Sequence, residues 1–333
     1  MTDITSVTFG DAPSRAQQKI EYGDIVVSTV RPNLKNIAII DRYEPNIVAS
    51  SGFCVLRNTE CIERNYLFHY VTSDIFTQHL MKITTGANYP AVRDQDVRDS
   101  IIPLPPKSTQ LAIVSELDKI NELIRLKKEQ LKDFDNLAQS IFYEMFGDPV
   151  ENEKGWEVKK LVEVSSLING RAYKQNELLN EGKYKVLRVG NFFTNSNYYY
   201  SNLELDDEKY CYKGDLLFAW SASFGAFIWD EGKTIFHYHI WRVLFDEKNL
   251  NIYYYKYLLN TMTNFFMNDV HGIGMVHLTK AGMEQYNLPL PPLPLQHLFA
   301  QRIEQIEHQK AEVQKSIADL ETLLASRMQY WFE

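Results

Sequence analysis

Apolar side chains recur in alternating steps of four and three residues along two long stretches of the chain. From Ile113 to Met145 every heptad a and d position except Lys127 is apolar, and from Phe299 onward Lys310 interrupts a second such seam near its middle. A period of 3.5 residues over this length is typical of coiled-coil packing. The predicted seam consists of Ile113, Leu117, Ile120, Ile124, Leu131 and Phe134 on the first helix and Phe299, Ile303, Ile306, Val313, Ile317, Leu320 and Leu324 on the second.

Shorter patterns ahead of each long helix predict a mixed α/β domain. The runs GDIVVST, KNIAIID, GDLLFAW, AFIWDE and YHIWRVLF are β-branched or aromatic and are bounded by turn residues, as strands are. Residues 66–83 and 252–270 have helical spacing, and a loop, a short strand and a proline-rich exit are expected after each. The predicted fold class is α/β (α+β), with two mixed α/β domains separated by two long antiparallel coiled-coil helices.

The two halves of the chain repeat each other. The string PLPP occurs at 103–106 and at 289–292, and at one constant offset Gln110 corresponds to Gln296 and Leu137 to Leu323 without a gap. A period of half the chain indicates a duplicated domain with a duplicated helix rather than a solenoid. The predicted boundaries are 1–106 for the first domain, 107–147 for the first helix, 148–292 for the second domain and 293–333 for the second helix.

Composition limits the class of protein. The 333 residues, 45% of them hydrophobic, are enough for two domains with their own cores. A net charge of −8 argues against a protein that wraps nucleic acid by bulk electrostatics alone. No stretch reaches the roughly 18–20 apolar residues of a membrane span, and a secretory signal layout is absent from the start of the sequence. A cytoplasmic location without a membrane partner is therefore expected.

Motifs for covalent chemistry are missing from the sequence. It has no GxxxxGK[ST], no GxGxxG that opens a helix and no GxSxG elbow. His237 and His239 fall on one face of a predicted strand, yet no cysteine or carboxylate completes a metal site, so structural histidines are favoured. We expect no metal, no cofactor and no catalysis by this chain.

The order of these elements resembles the specificity (S) subunit of type I restriction-modification systems. The resemblance rests on the exits PLPPKSTQLAIVSELDKI and PLPPLPLQHLFAQRIEQI, on SIFYEMFGDP at the end of the first helix and on GWEVKKLVEVSSLINGRAY at the start of the second domain. It implies two target-recognition domains that read a bipartite double-stranded DNA target, and docking of methyltransferase (M) and restriction (R) subunits. It also implies that S-adenosylmethionine, ATP and Mg are bound by those partner subunits.

The first target-recognition domain is shorter than the second. Residues 155–190 precede Gly214 in the second domain. The first domain has no counterpart of this segment before Gly23. We therefore expect the first domain to be N-terminally incomplete, with self-association or another chain as ways to complete it.

Polar loops with small residues are the candidate DNA contacts, because Arg, Lys, Asn, Gln and Ser read base edges and hold phosphates. Glycines in these loops are expected to allow close approach to the duplex. The alternative is that the loops are ordinary surface turns and that the chain is a non-DNA scaffold, in which two α/β domains on a coiled-coil strut bind other proteins. The candidate residues are Ser28, Arg31, Asn33, Lys35, Asn88 and Tyr89 in the first domain and Asn169, Arg171, Tyr173, Lys174, Arg188, Asn191, Ser221, Ser223, Phe224, His271 and His277 in the second.

Overall fold

The chain folds into two compact units, each built from one α/β domain and one part of both long helices. The computed structural model describes residues 5–42, 46–86, 89–194, 197–221, 223–268 and 278–333. The first unit combines Met1–Leu131 with Glu312–Glu333, and the second unit is Lys132–Ala311. The first unit is therefore assembled from two separate stretches of sequence, whereas the second is continuous.

The domain of the first unit contains a three-stranded antiparallel sheet in the order β3–β2–β5 and a separate pair, β1–β4. β2 forms the centre because its apolar run IVVS is buried along its whole length. The elements are β1 (Ala16–Lys19), β2 (Ile25–Ser28), β3 (Ile37–Ile39), β4 (Val48–Ser50), β5 (Phe53–Leu56), α1 (Arg64–Thr72), α2 (Asp74–Ile83) and α3 (Asp94–Arg98), with 3-10 turns at Phe9–Asp11 and Pro32–Leu34.

The domain of the second unit repeats this plan with more strands. Its first helices and strands are β6 (Glu157–Lys160), α5 (Leu161–Val164), β7 (Ser165–Asn169), β8 (Tyr184–Leu187), α6 (Val189–Phe193), β9 (Tyr199–Ser201) and β10 (Tyr210–Cys211). The remainder are β11 (Leu216–Ser221), β12 (Ser223–Ile228), β13 (Thr234–Phe236), β14 (Ile240–Phe245), α7 (Ile252–Thr261), α8 (Thr263–Asn268), α9 (Lys280–Met283) and β15 (Asn287–Leu290), with 3-10 turns at Gln175–Glu177 and Asp207–Lys209.

Three sheets organise the second unit. One has the order β12–β11–β14–β7, another β10–β13–β8–β9, and β15 pairs with β6. The β8–β13 pair is parallel, and it joins segments that lie far apart in sequence. The strands β2 and β11 each follow a Gly-Asp turn in which the glycine has a positive φ, +89° at Gly23 and +95° at Gly214. This turn explains why both strands begin with the same dipeptide.

The two long helices, α4 (Lys107–Phe146) and α10 (Leu293–Phe332), pack antiparallel within each unit. In the first unit Lys128 Nζ lies 2.8 Å from Glu321, and Trp331 Nε1 donates to Glu116 at 3.1 Å. In the second unit Lys310 Nζ lies 2.7 Å from Asp135. The partner's number falls as the residue number rises, which is the register of an antiparallel pair. The mixed α/β class with long antiparallel helices is confirmed.

The seam residues lie on the packed sides of the two helices, and each is buried or half-buried. In the first unit Ile113 and Leu117 pack in one core cluster with Leu324, and in the second Phe134 packs with Phe299, Ile303 and Ile306. The half-buried members are Leu131, Phe134, Leu320 and Leu324, and the buried members are Ile113, Leu117, Ile120, Ile124, Phe299, Ile303, Ile306, Val313 and Ile317.

Three details differ from the sequence-based expectation. The helix predicted over 66–83 is two helices, because Ser73 adopts an extended conformation and its side chain caps α2 by accepting from the Phe76 amide. The helix predicted over 252–270 is divided at Met262, and residues 269 and 270 lie outside the described residues. A strand precedes the proline exit only in the second unit, since residues 101–106 of the first have no partner strand.

Candidate nucleic-acid interface

Two loops of the first unit meet at an arginine and a tyrosine. An isolated antiparallel bridge joins Val30 to Ala91, and the Arg31 amide donates to the Pro90 carbonyl at 2.7 Å. The Arg31 guanidinium lies 4.6 Å from the centre of the exposed Tyr89 ring. Two candidates from separate parts of the sequence are thus brought together at the surface.

Other candidates in the first unit have different surroundings. Ser28 is buried and its hydroxyl donates to the Val30 carbonyl, so it shapes the loop from inside. Lys35 reaches across to α2, where its ammonium lies 2.6 Å from Asp74. Asn33 is exposed within the short 3-10 turn, and Asn88 lies outside the described residues.

In the second unit the end of β7 approaches the turn between β13 and β14. A Cβ atom at Gly170 would lie 2.3 Å from the Phe236 carbonyl oxygen, so only glycine fits this crossing. The next residue, Arg171, donates its amide to the Phe236 carbonyl, and the Tyr238 amide donates to the Arg171 carbonyl. Loop glycines are predicted to allow close approach of a duplex. At Gly170 the segment that approaches closely is the protein's own backbone, at Phe236 and His237.

The candidates that follow Gly170 are partly engaged by neighbouring groups. Arg171 makes a bidentate pair with Glu177, at 3.0 and 2.8 Å, and these hydrogen bonds lower the pKa of Glu177 to about 2. Tyr173 is half-buried, and its ring lies 6.3 Å from that of His237. Lys174 and Asn169 are exposed, with the Asn169 carbonyl accepting from Lys209 at 3.1 Å.

A polar groove lies beside this crossing and contains two further candidates, Arg188 and Asn191. Its volume is about 860 Å³, and three consecutive tyrosines and several asparagines line it. The Arg188 guanidinium lies 4.9 Å from the centre of the Tyr199 ring. The groove combines a cation, amide groups and phenol rings, which are the groups that read base edges and stack on bases. Its lining residues are Asn180, Arg188, Asn191, Asn197, Tyr198, Tyr199 and Tyr200.

His237 lies at the crossing and close to Arg188 of the groove. Burial, with added repulsion from His239 and Arg188, lowers the pKa of His237 to about 4. The imidazole is therefore neutral at pH 7 and offers one donor and one acceptor. His237 and His239 were predicted on a strand, and that prediction is wrong, because β13 ends at Phe236 and the chain turns through Tyr238. Among the described residues no group of three His, Cys, Asp or Glu side chains could hold a metal.

Ser221, Ser223 and Phe224, predicted in a polar loop, lie instead on the strands β11 and β12. Ser221 and Ser223 face each other across the two strands, and Ser221 is buried. Phe224 is half-buried and packs against the main core of the second unit. The remaining candidates, His271 and His277, lie outside the described residues.

The residues predicted from sequence do not include Asn180, Asn197 or the groove tyrosines. Tyr199 and Tyr200 pair with β8 and also line the groove. Asn180 could not be found from sequence, since it reaches the groove only through the bridge of Leu179 to Tyr200.

A cavity of about 1080 Å³ lies elsewhere in the first unit, between α1, α2 and the two long helices. It contains Lys35 of the candidate set, and its walls include His69 and Asp118, whose side chains lie 2.7 Å apart. Because neither Arg31 nor Tyr89 lines it, its size does not mark it as the DNA-contacting surface.

The chain belongs to the family of the type I restriction modification DNA specificity domain, whose model matches residues 7–133 and 153–322. It is a specificity subunit that serves DNA sequence recognition in a restriction-modification system, and it is not the enzyme of that system. This assignment favours DNA recognition over the scaffold alternative. None of the described helices is both long and apolar enough to cross a membrane.

Particular relatives agree with this assignment. The MjaIX specificity subunit of Methanocaldococcus jannaschii is 22% identical over 303 residues, which cover 83% of this chain and 70% of that protein. A solved structure concerned with complex assembly and conformational transition of the type I R-M system matches with a TM-score of 0.60 and 28% identity, over 96% of this chain and 84% of that one. The S subunit from M. genitalium matches with a TM-score of 0.52 at 12% identity, over 95% and 84% of the two chains, and supports the fold alone.

Proposed function

We propose that the two domains of this specificity subunit read the two parts of a bipartite double-stranded DNA target. The observation that carries the proposal is an arginine stacked on a tyrosine in each domain, Arg31 on Tyr89 and Arg188 on Tyr199. Arginine makes bidentate contacts with guanine in the major groove, and asparagine does so with adenine. The groove beside Arg188 offers both types of side chain, so we assign base reading in the second domain to this groove.

We further propose that methyltransferase subunits dock on the long helices. Leu137 and Leu323, which occupy equivalent positions in the repeat, are 47% and 46% exposed. Other large apolar side chains of the helices, such as Leu123 and Leu126, are as exposed, but polar residues occupy their equivalent positions in the second helix. Large exposed apolar side chains are typical of protein interfaces. Their duplication supports two equivalent docking positions, one for each of two methyltransferase subunits.

Restriction subunits, S-adenosylmethionine, ATP and Mg complete the proposed assembly, and the cofactors belong to the partners. Self-association through the first domain stays a prediction, as does the cytoplasmic location. Light scattering of the purified chain would test the former.

Binding-site selection on the chain assembled with its methyltransferase subunits tests the proposal directly. We expect enrichment of a target with two specified parts separated by unspecified bases. Enrichment of only one part would limit recognition to one domain. Equal binding of all duplexes with a steep salt dependence would overturn sequence reading, because phosphate contacts carry no sequence information.

Docking is tested separately with Leu137→Glu and Leu323→Glu. Each is expected to remove one methyltransferase subunit from the complex, as measured by native mass spectrometry. Asn136→Glu adds the same charge at the neighbouring exposed position and serves as the control. Unchanged stoichiometry in both leucine variants would contradict docking at these positions.

A further inference from the structure

The two proline exits have the same sequence pattern but different neighbours. In the second unit β15 pairs with β6, with Leu290 opposite Glu157 and Leu288 opposite Lys159, and Leu290 is 9% exposed. In the first unit the equivalent residues 101–104 pair with no strand of the described chain, and Ile101 and Leu104 are 89% and 56% exposed. The first unit therefore leaves uncovered a surface that the second unit buries.

Alternate backbone polar groups of this uncovered segment face away from the domain. The Tyr70 hydroxyl donates to the Ile101 carbonyl at 2.8 Å, and the Tyr66 hydroxyl donates to the Pro103 carbonyl at 2.9 Å. In extended backbone successive carbonyls point to opposite sides, so the amides and carbonyls of Ile102 and Leu104 face away from the domain. In the second unit Tyr254 holds the Pro289 carbonyl in the same way, at 2.8 Å, and β6 occupies the opposite side.

A second edge of the first unit also lacks a partner strand among the described residues. β5 ends the sheet β3–β2–β5, whereas its counterpart β14 pairs on its far side with β7. Where β7 would bond, side chains reach the β5 carbonyls, with Gln18 donating to Phe53 and Arg98 to Val55. Arg98 is exposed and Gln18 is half-buried, and an incoming strand would have to displace both side chains.

One continuous segment covers both edges in the second unit. It is β6–α5–β7, Glu157–Asn169, and it places Leu161, Val164 and Leu167 in the core with at most 4% of each side chain exposed. Burial of three such side chains removes a large apolar area from water and favours association. A segment with this spacing therefore has both a backbone edge and an apolar driving force for binding.

We propose that the first unit binds, along residues 101–104 and the open edge of β5, a strand–helical turn–strand segment from another polypeptide of this family. The segment carries apolar side chains spaced as Leu161, Val164 and Leu167. The mode of binding is strand addition, in which main-chain hydrogen bonds supply affinity and the alternating side chains supply specificity. This inference concerns an interaction surface, and it does not depend on where the domains contact DNA.

A second copy of this chain is a poor donor. Its own Glu157–Asn169 segment is already paired with β15 and β14 in its second unit. Donating it would open in one copy the same edges that it closed in the other. A separate polypeptide whose segment has no such partner binds without that loss.

The test uses the full chain and a fluorescently labelled peptide with the sequence of residues 154–169. We expect saturable binding of one peptide per chain by fluorescence anisotropy, in the absence of DNA. The protein variant Leu104→Pro removes an outward amide from backbone that is already extended between prolines, and it is expected to weaken binding at least tenfold. Ile101→Pro is the matched control, because it removes an amide that faces the other way, and it should bind as the unchanged chain does.

The peptide with Leu161→Asp tests the apolar contribution and should bind at least tenfold more weakly. Absence of saturable binding, or equal binding by the Leu104→Pro and Ile101→Pro proteins, would overturn the proposal. A dimer of the chain in light scattering that the peptide dissociates would assign the edge to a second copy and would overturn it too. Circular dichroism of each variant establishes that it is folded, and DNA selection by the complex is scored independently.

Discussion

Gln110 and Gln296 make the same three hydrogen bonds in the two units. Each side-chain oxygen accepts from a backbone amide at 2.8 Å, that of Glu63 in the first unit and Asn251 in the second. Each side-chain nitrogen donates to two carbonyls, one in the proline exit and one just before α1 in the first unit or α7 in the second. These glutamines fasten the start of each long helix to its own domain.

The substitution Gln296→Leu should destabilise the second unit by about 1–3 kcal/mol, because it leaves a buried amide and two carbonyls without this partner. Chemical denaturation followed by circular dichroism measures the change. Gln301→Leu, at an exposed position on the same helix, is the control and should change stability little. Equal effects of the two substitutions would contradict the stabilising role of the Gln296 side chain.

Lys310→Met should leave the stability of the second unit unchanged or raise it by about 1–2 kcal/mol. The lysine lies in the seam with 17% of its side chain exposed, whereas its partner Asp135 is 64% exposed and stays hydrated after the change. Replacing a half-buried ion pair by an apolar side chain is often neutral or stabilising. Thermal unfolding at low and high salt measures both the stability and the expected loss of salt sensitivity.

Lys315→Met, on the exposed side of the same helix, is the comparison for Lys310→Met. A loss of more than about 2 kcal/mol in Lys310→Met alone would mean that the ion pair itself stabilises the helix pair.

Gly170→Ala should cost about 1–3 kcal/mol, since the added carbon meets backbone atoms of Phe236 and His237 that cannot move independently of their strands. We also expect weaker selection of the half-target read by the second domain, because the crossing positions Arg171 beside the groove. Gly232→Ala, where a Cβ atom would meet nothing within 4 Å, should be neutral in both measurements.

Arg188→Ala should lower the affinity of the assembled complex for its selected target by about 10–100-fold without changing its unfolding temperature. Arg171→Ala should do the reverse, mainly destabilising the domain, because Arg171 is already held by Glu177. Fluorescence anisotropy with target and scrambled duplexes separates the effects. A loss of the same size on both duplexes would assign Arg188 to phosphate contact rather than base reading.

Stability of the second unit should fall as the pH falls from about 6.5 to about 4. His237 has a pKa near 4 in the folded chain and an ordinary value near 6.5 when unfolded, so the unfolded state binds more protons in this interval. Allowing for the solvent that reaches the ring, the contribution is about 1–2 kcal/mol. His237→Gln should flatten this part of a stability profile measured against pH, and an unaltered slope would show that other groups cause it.

The long helices could be predicted from sequence, because the apolar a and d positions of a heptad pattern are the side chains that two packed helices bury. Phe142 and Phe146 are also buried but do not occupy heptad a or d positions, so the heptad pattern does not predict their burial. There the helix packs against the second domain as well as against α10, so its buried face is wider than a coiled coil requires. Phe142, for example, stacks on Tyr254 at 5.9 Å.

The groove was harder to predict, because its lining residues, all between Asn180 and Tyr200, meet only through the pairing of β8 with β9 and the bridge of Leu179 to Tyr200. His237 comes next to Arg188 in a similar way, through the parallel pairing of β8 with β13. Sequence spacing carries no information about that pairing. Arg171 and Lys35 show the complementary difficulty, since their charge suggested DNA contact while nearby carboxylates engage them.

The first unit is discontinuous, and this has a consequence for synthesis on the ribosome. Phe332 packs against Tyr66 and Tyr70, with ring centres 5.2 and 5.7 Å apart, and so belongs to the core of the domain translated earliest. The second unit can close as soon as its continuous segment has emerged, whereas the first must wait for residues 312–333. A nonsense mutation that removes residues 312–333 would therefore damage the first domain, which is translated earliest, and spare the second.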